Sequence, residues 1–346
     1  MNQSVQAGGF IHYAAMPSTE NINCFMATLE CYAQHNQLAD NFSLSHFEHE
    51  FYLKNSESDV FTSTHSHFGI DTAWECSDSL EMMTDRVVNR IRERCGVAVS
   101  LEMVFDPAGL IQRLHDNRDH AICIFDPYYL PGSVNFGLRH SLSVCIVNGY
   151  AEHTGKFGLL ERKQGQSYVE ETELKKSADY FIRSKGSCHL FHLTKVPPVV
   201  ALTEIDIKAD LERILSHFHS SGGDAGLAAL DKFQQRYPEL LNYDRAFIIP
   251  WAERCFGERY ANARFLQSLL DGGHPAAKAQ PSCFVDLIEM YKKTGDLWRS
   301  FEVFHLYSVN QGKPAILQRN LTLIEDIVEN ERGCVRRLET LRESLY

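Results

Sequence analysis

The sequence has no C-x-x-C pair, no G-x-G-x-x-G or G-x-x-x-x-G-K-[ST] loop, and no apolar run approaching the roughly 18 residues that span a bilayer. Each absence excludes a class. Without paired thiols, zinc held by thiolates is disfavoured. Without a glycine-rich phosphate loop, nucleotide binding has no support. The N-terminus, MNQSVQAGGFIHYAAM, has neither a basic start nor a sustained apolar core, so no signal peptide and no membrane partner are expected, and a cytoplasmic location is. Positive charge is also short. A formal net charge of -11 argues against a nucleic-acid partner, which needs a basic footprint. Any acidic partner would need a local basic patch, for which ERKQG (Glu161 to Gly165) and RSKG (Arg183 to Gly186) are the candidates. No fixed repeat period is present.

Cysteine, in contrast, is plentiful. The ten cysteines (24, 31, 76, 95, 123, 145, 188, 255, 283 and 334) are scattered, and many lie among apolar residues, as in HAICIF and LSVCIVNG. In a reducing compartment such residues are mostly core thiols rather than a disulfide framework. Hydrophobic and charged contents of 44% and 23% are those of an ordinary globular protein, and 346 residues exceed one typical domain, so two domains are expected.

The patterning predicts an α+β domain over residues 1–197 and an all-α domain over 198–346. Apolar positions Phe25, Leu29 and Tyr32 recur at helical spacing over 24–36. Residues 40–80 are polar and aromatic and read as an irregular surface lobe with short helices. A helix over 81–96 stops at Gly96, a strand follows, and Asp106 caps a helix that opens on Pro107 and runs to about Asn117. Strands are expected at 120–125, 140–150 and 156–163, the last two as a hairpin across AEHTG, then at 166–171 and 188–196 around a helix near 172–184. VPPVV (Val196 to Val200) marks a linker. Beyond it, apolar residues recur at three and four, as at Ile207, Leu211, Ile214, Leu215 and Phe218, predicting six or seven helices.

Cys24 stands where the polar stretch STENIN turns into the first helix. One reading is a further small core residue. The other is chemical: a thiol at a helix N-terminus lies near the positive end of the helix dipole, which favours the thiolate. A thiolate nucleophile needs a histidine to move its proton and a polar residue to orient that histidine. The order Cys24, then His140 opening HSLSVCIVNGY, then Glu161 in KFGLLERK supplies the three types. Histidine groups in HFEHE (46–50), HSH (65–67), HFH (217–219) and CHLFH (188–192) could ligate a metal, but none has third and fourth ligands at a recognisable spacing, so no metal is expected.

The segments NCFMATLECYAQH, DPYYLPGSVNFGLRH and VCIVNGYAE together resemble the N-terminal domain of the butirosin biosynthesis protein H (BtrH)-type acyltransferases and, within that wider group, the condensing enzymes of closthioamide biosynthesis. The resemblance covers roughly residues 20–165 and extends more weakly into the helical part. It implies a papain-like, C39-peptidase-like fold with Cys24 as nucleophile and His140 as base. Glu161 stands where the family usually has an aspartate, and LLERK stands where DP is common. A tight turn at Glu152–Gly155 would place Glu161 opposite Ile146, too far from His140 without a bulge or sheared register. Asp126, at the end of a neighbouring strand, is the reserve orienter. Asp126, Tyr129 and Asn21 are the expected substrate-binding residues. Tyr128 and Tyr129 line a groove or merely pack, and Asn21 or Asn23 is an oxyanion donor or, for Asn23, a plain cap.

The implied activity is amide formation in natural-product biosynthesis. An acyl group would pass from an acyl or peptidyl carrier protein through an acyl-Cys24 thioester to a small-molecule amine. No cofactor of its own is implied, because phosphopantetheine arrives on the carrier. The helical domain is expected to dock the carrier and to close the pocket. Two alternatives remain open: a cysteine hydrolase using the same residues, and a non-catalytic binding module in which Cys24 is core.

Overall fold

The computed structural model describes residues 24–39, 41–56, 67–71, 80–116, 121–133, 135–138, 140, 142–161, 165–220, 223–238, 252–311 and 314–345. In chain order its main elements are α1 (Cys24–His35), β1 (Tyr52–Ser56), β2 (His67–Asp71), α2 (Leu80–Cys95), β3 (Val97–Val104), α3 (Pro107–Asp116), β4 (Ala121–Phe125), β5 (Ser143–Ala151), β6 (Lys156–Glu161) and β7 (Gly165–Glu170). There follow α4 (Glu171–Lys185), β8 (Cys188–Lys195), α5 (Ile207–Phe218), α6 (Gly226–Arg236), α7 (Ala252–Asp271), α8 (Pro275–Ala279), α9 (Pro281–Gln311) and α10 (Pro314–Ser344). They form two compact units, one from Cys24–Phe42 and Gly96–Pro197, the other from Ser43–Cys95 and the chain from Pro198 onward.

The first unit is mixed helix and antiparallel sheet. Its six strands run in the order β3-β8-β4-β5-β6-β7, and every pairing is antiparallel. β4 (AICIF) is buried at all five positions, and most of β5 is buried, which is why both read as unbroken apolar runs. The β5–β6 hairpin turns at Glu152–Gly155; Gly155 takes the left-handed conformation (φ 66°) and its N–H reaches the Ala151 carbonyl at 2.9 Å. α1 packs on β5, and α4 packs on β4, β7 and β8. Asp106 caps its helix as expected. Asp106 Oδ1 accepts from Gly109 N at 2.6 Å at the start of α3, and Gly186 (φ 88°) closes α4 with its N–H on Ile182 O at 2.7 Å.

In the second unit, α9 packs against both α7 and α10. α5 opens on Asp206, whose carboxylate accepts from Ala209 N at 2.9 Å, and buries Ile207, Leu211, Ile214, Leu215 and Phe218. From Pro198 onward six α-helices are present among the described residues.

One part of this unit departs from the expectation. The unit also takes in residues 43–95, which lie before the expected boundary at 197/198. One stretch of the expected surface lobe is core: His46, Phe47, Glu48, His49, Glu50 and Phe51 are all buried. The reason is a polar network in the helices that matches the polar residues of HFEHE. His49 Nε2 lies 2.6 Å from Glu331 Oε2, and its Nδ1 lies 3.1 Å from Tyr291 OH. The other side of Glu331 accepts from Trp298 Nε1 at 2.7 Å and from Arg259 Nε at 2.9 Å. Arg259 Nη1 reaches Glu258 at 2.5 Å, while its guanidinium lies 4.5 Å over the Phe51 ring. Glu48 accepts from both Arg90 and Arg213. Charged residues are almost never this buried unless paired, so the alternation of polar and aromatic residues here is a buried pattern that looks like a surface one.

Candidate active site

Within the first unit, β4 ends at Phe125 and delivers Asp126, which is fully buried. Pro127–Tyr129 then form a single 3-10 turn capped by Asp126, whose Oδ1 accepts from Tyr128 N at 3.1 Å. The Asp126 main chain is clamped to α4: its N–H donates to Ser177 Oγ at 2.8 Å, and the Ser177 hydroxyl donates to Asp126 O at 3.1 Å. With both the backbone and one carboxylate oxygen fixed, Oδ2 is aimed at His140, 2.6 Å from Nδ1. An ionised carboxylate can only accept, so Nδ1 carries the proton and Nε2 is left to exchange one. The His140 side chain is 28% exposed and Asp126 is not exposed at all, so the acid is internal and the base lies at a surface.

Aromatic rings surround the imidazole. Tyr128 stacks on it at 4.2 Å with 25° between planes, Tyr180 of α4 stacks at 4.1 Å with 9°, and Tyr129 lies tilted at 5.8 Å. Burial, then the Asp126 charge, raises the pKa of the Tyr129 and Tyr180 phenols, so both stay protonated at neutral pH. The connection toward His140 is held by its own turns, with Gly137 N–H on Tyr128 O at 2.9 Å, and it leaves Phe136 and Leu138 exposed.

Cys24 is the first residue of α1, as expected; its side chain lies outside the described residues. One turn later, the Thr28 hydroxyl donates to Val144 O at 3.3 Å, and the neighbouring Ser143 pairs with Phe125, the residue before Asp126. Asn21 and Asn23 lie outside the described residues.

Asp126, not Glu161, meets His140 Nδ1. The required bulge is present, between Val147 and Tyr150, but it shifts the β5–β6 pairing by one residue only and puts Glu161 opposite Cys145. That is still five residues from His140, about 16 Å along an extended chain. Asp126, expected among the substrate-binding residues with orienting as its reserve role, presents its carboxylate oxygens to His140 Nδ1 and to Tyr128 N. Tyr129 sits at the edge of this cluster. Tyr180 and Ser177 were missed. The available signal was Ser177 itself, a polar residue on the otherwise apolar buried face of α4 formed by Leu174, Ala178 and Phe181.

The remaining candidates are accounted for within the fold. Eight cysteines have described side chains, and all eight are buried. Burial pushes Cys31 up to about 11 and Cys188 and Cys334 up to about 12, the behaviour of core thiols rather than nucleophiles. His217 Nε2 lies at the Phe51 backbone, His219 at Glu339, His189 at Ser187 and His192 at Glu102. His65 and Ser66 of HSH, the side chain of His67, and the side chains of ERKQG beyond Glu161 and before Gly165 lie outside the described residues; in RSKG, Arg183 pairs with Asp179 of its own helix. No described helix is long and apolar enough to cross a membrane. Compared with known proteins, the chain matches no family model and no curated sequence.

Proposed function

We propose that the protein is a cysteine acyltransferase that forms an amide bond, with Cys24 as nucleophile and the Asp126–His140 pair handling the proton. The observation that carries this reading is the buried carboxylate on Nδ1 of a half-buried imidazole, in the same unit as a helix opened by a cysteine. What supports a papain-like reading of that unit is its order, a nucleophile helix first and the histidine later, beside an antiparallel sheet.

In this scheme the Cys24 thiolate, favoured by the start of α1, attacks the thioester carbonyl of an acylated carrier protein. The tetrahedral intermediate collapses with the phosphopantetheine thiolate leaving, and the acyl group stays on Cys24 as a thioester. An amine then attacks that thioester carbonyl while His140 Nε2 accepts its proton, and the Cys24 thiolate leaves as the amide is released. Asp126 keeps the imidazole in the one tautomer that can accept at Nε2 and stabilises the imidazolium formed. Exposed Phe136 and Leu138, close in sequence to His140, have the apolar character an acyl chain would meet. Carrier docking is assigned to the helical unit as part of the same proposal.

The exposure of His140 also admits water, which favours hydrolysis as the second reading. Incubating acylated carrier protein with wild type, Cys24→Ala and Asp126→Asn, with and without amines, tests both. Wild type should lose the acyl group from the carrier and, with amine present, give a product of amide mass. Cys24→Ala should be inert. Asp126→Asn should be slower by about 10–100-fold, the value of one charge-assisted hydrogen bond. Free acid as the only product in every amine would select the hydrolase, and equal acyl loss in wild type and Cys24→Ala would remove Cys24 from the chemistry.

A further inference from the structure

Among the described residues, the hydrogen bond to Asp126 holds His140 at one atom, Nδ1, and His140 itself lies in no strand or helix. A ring held at one nitrogen can still swing about that contact. Two rings prevent it. Tyr128 and Tyr180 are each about 4 Å from the imidazole centroid and nearly parallel to it. Two rings so placed cannot share a face without overlapping, so they cover opposite faces. We propose that Tyr128 and Tyr180 are positioning residues for His140. Between them they hold the ring plane, keep Nδ1 on Asp126 and leave only the Nε2 edge open.

The two tyrosines come from separate elements, the 3-10 turn after β4 and the middle of α4. Ser177, one turn before Tyr180 on α4, clamps the Asp126 backbone. One helix thereby sets both the acid and one wall of the base. The cage has the shape that elsewhere receives a ligand cation, yet here its occupant is the protein's own imidazole. The holding is assigned to the ring faces, so phenylalanine should serve at position 180 and an aliphatic residue should not.

This inference deepens the proposed function, and its first measurement does not depend on it. In protein labelled with nitrogen-15 histidine, the His140 Nδ1–H signal should exchange slowly in wild type and Tyr180→Phe, and at least tenfold faster in Tyr180→Leu. In acyl transfer, Tyr180→Leu should lower kcat about tenfold with KM unchanged, and Tyr180→Phe should restore it. Tyr128→Leu provides a second arm with the same expected direction should Tyr180→Leu fail to fold by circular dichroism. Protection unchanged in the leucine variants, or a Phe variant as impaired as Leu, overturns the positioning role. A wild type without transferase activity but with the expected exchange pattern overturns the proposed function and leaves the ring clamp standing.

Discussion

Glu331→Ala should be among the most damaging substitutions in the helical unit. Its buried carboxylate takes hydrogen bonds from His49, Trp298 and Arg259 at once. Burial opposes its charge, but Arg259 and His49 hold its pKa below the ordinary carboxylate value. Removing it leaves the Arg259 guanidinium paired, among the described residues, with Glu258, whose own pKa burial pushes up toward the neutral acid. Breaking a buried ion pair costs about 3–5 kcal/mol, and a buried indole N–H left without an acceptor costs about 1–3 kcal/mol more. Because such terms do not add fully, the loss should be at least about 4 kcal/mol, out of the roughly 5–15 kcal/mol typical of a domain. Urea unfolding followed by circular dichroism measures it, with the two units fitted as separate transitions. Arg259→Met combined with Glu331→Leu should recover about 2 kcal/mol or more relative to Glu331→Ala, because both charges leave together. A loss below about 1 kcal/mol for Glu331→Ala, or a double variant weaker than the single, refutes the network as described.

Two further outcomes are expected in the same unit. His305, buried against Tyr237 OH at 2.9 Å, has its pKa lowered from 6.5 to about 4 by burial, so the fold favours its neutral form. Its contribution is present above pH 6.5 and is lost as pH falls toward 4, amounting to about 3 kcal/mol at 1.36 kcal/mol per pH unit; His305→Gln should flatten that part of the stability–pH curve, and an unchanged curve would count against the assignment. Gly226 is left-handed (φ 57°), and a Cβ there would come within 2.7 Å of His217 O and 2.8 Å of Phe218 O, so Gly226→Ala should lower the stability read from urea unfolding by about 2 kcal/mol or more. A neutral Gly226→Ala would mean that the α5–α6 connection has room to shift.

Local signals were legible in the sequence where the physics is local. Asp106–Pro107, Gly96 and Gly155 mark ends that depend on their own caps and turns, and α1 begins at Cys24 because polar residues give way there to a helical apolar period. Non-local features were not legible. Nothing in the period of β8 places it between β3 and β4, and nothing in HFEHE reveals that His49 meets Glu331, more than 200 residues away. The site divides in the same way. Asp126 and His140 are 14 residues apart, within one connection, and the sequence offered both; Tyr180 reaches the imidazole from 40 residues further on, through a helix whose rotation only the packed sheet sets.

The interleaving of the two units affects how the chain can be made and cut. Residues 46–51 leave the ribosome before anything they bind, and at about 5–20 residues per second the codon for Glu331 is reached roughly 15–60 s later. An apolar segment exposed for that interval would invite aggregation. HFEHE carries carboxylates and imidazoles that water can solvate during the wait. Severing the protein at the prolines after β8 would strand this segment on the wrong fragment, so the C-terminal piece should not fold alone, whereas co-expression of the two pieces should restore the helical body.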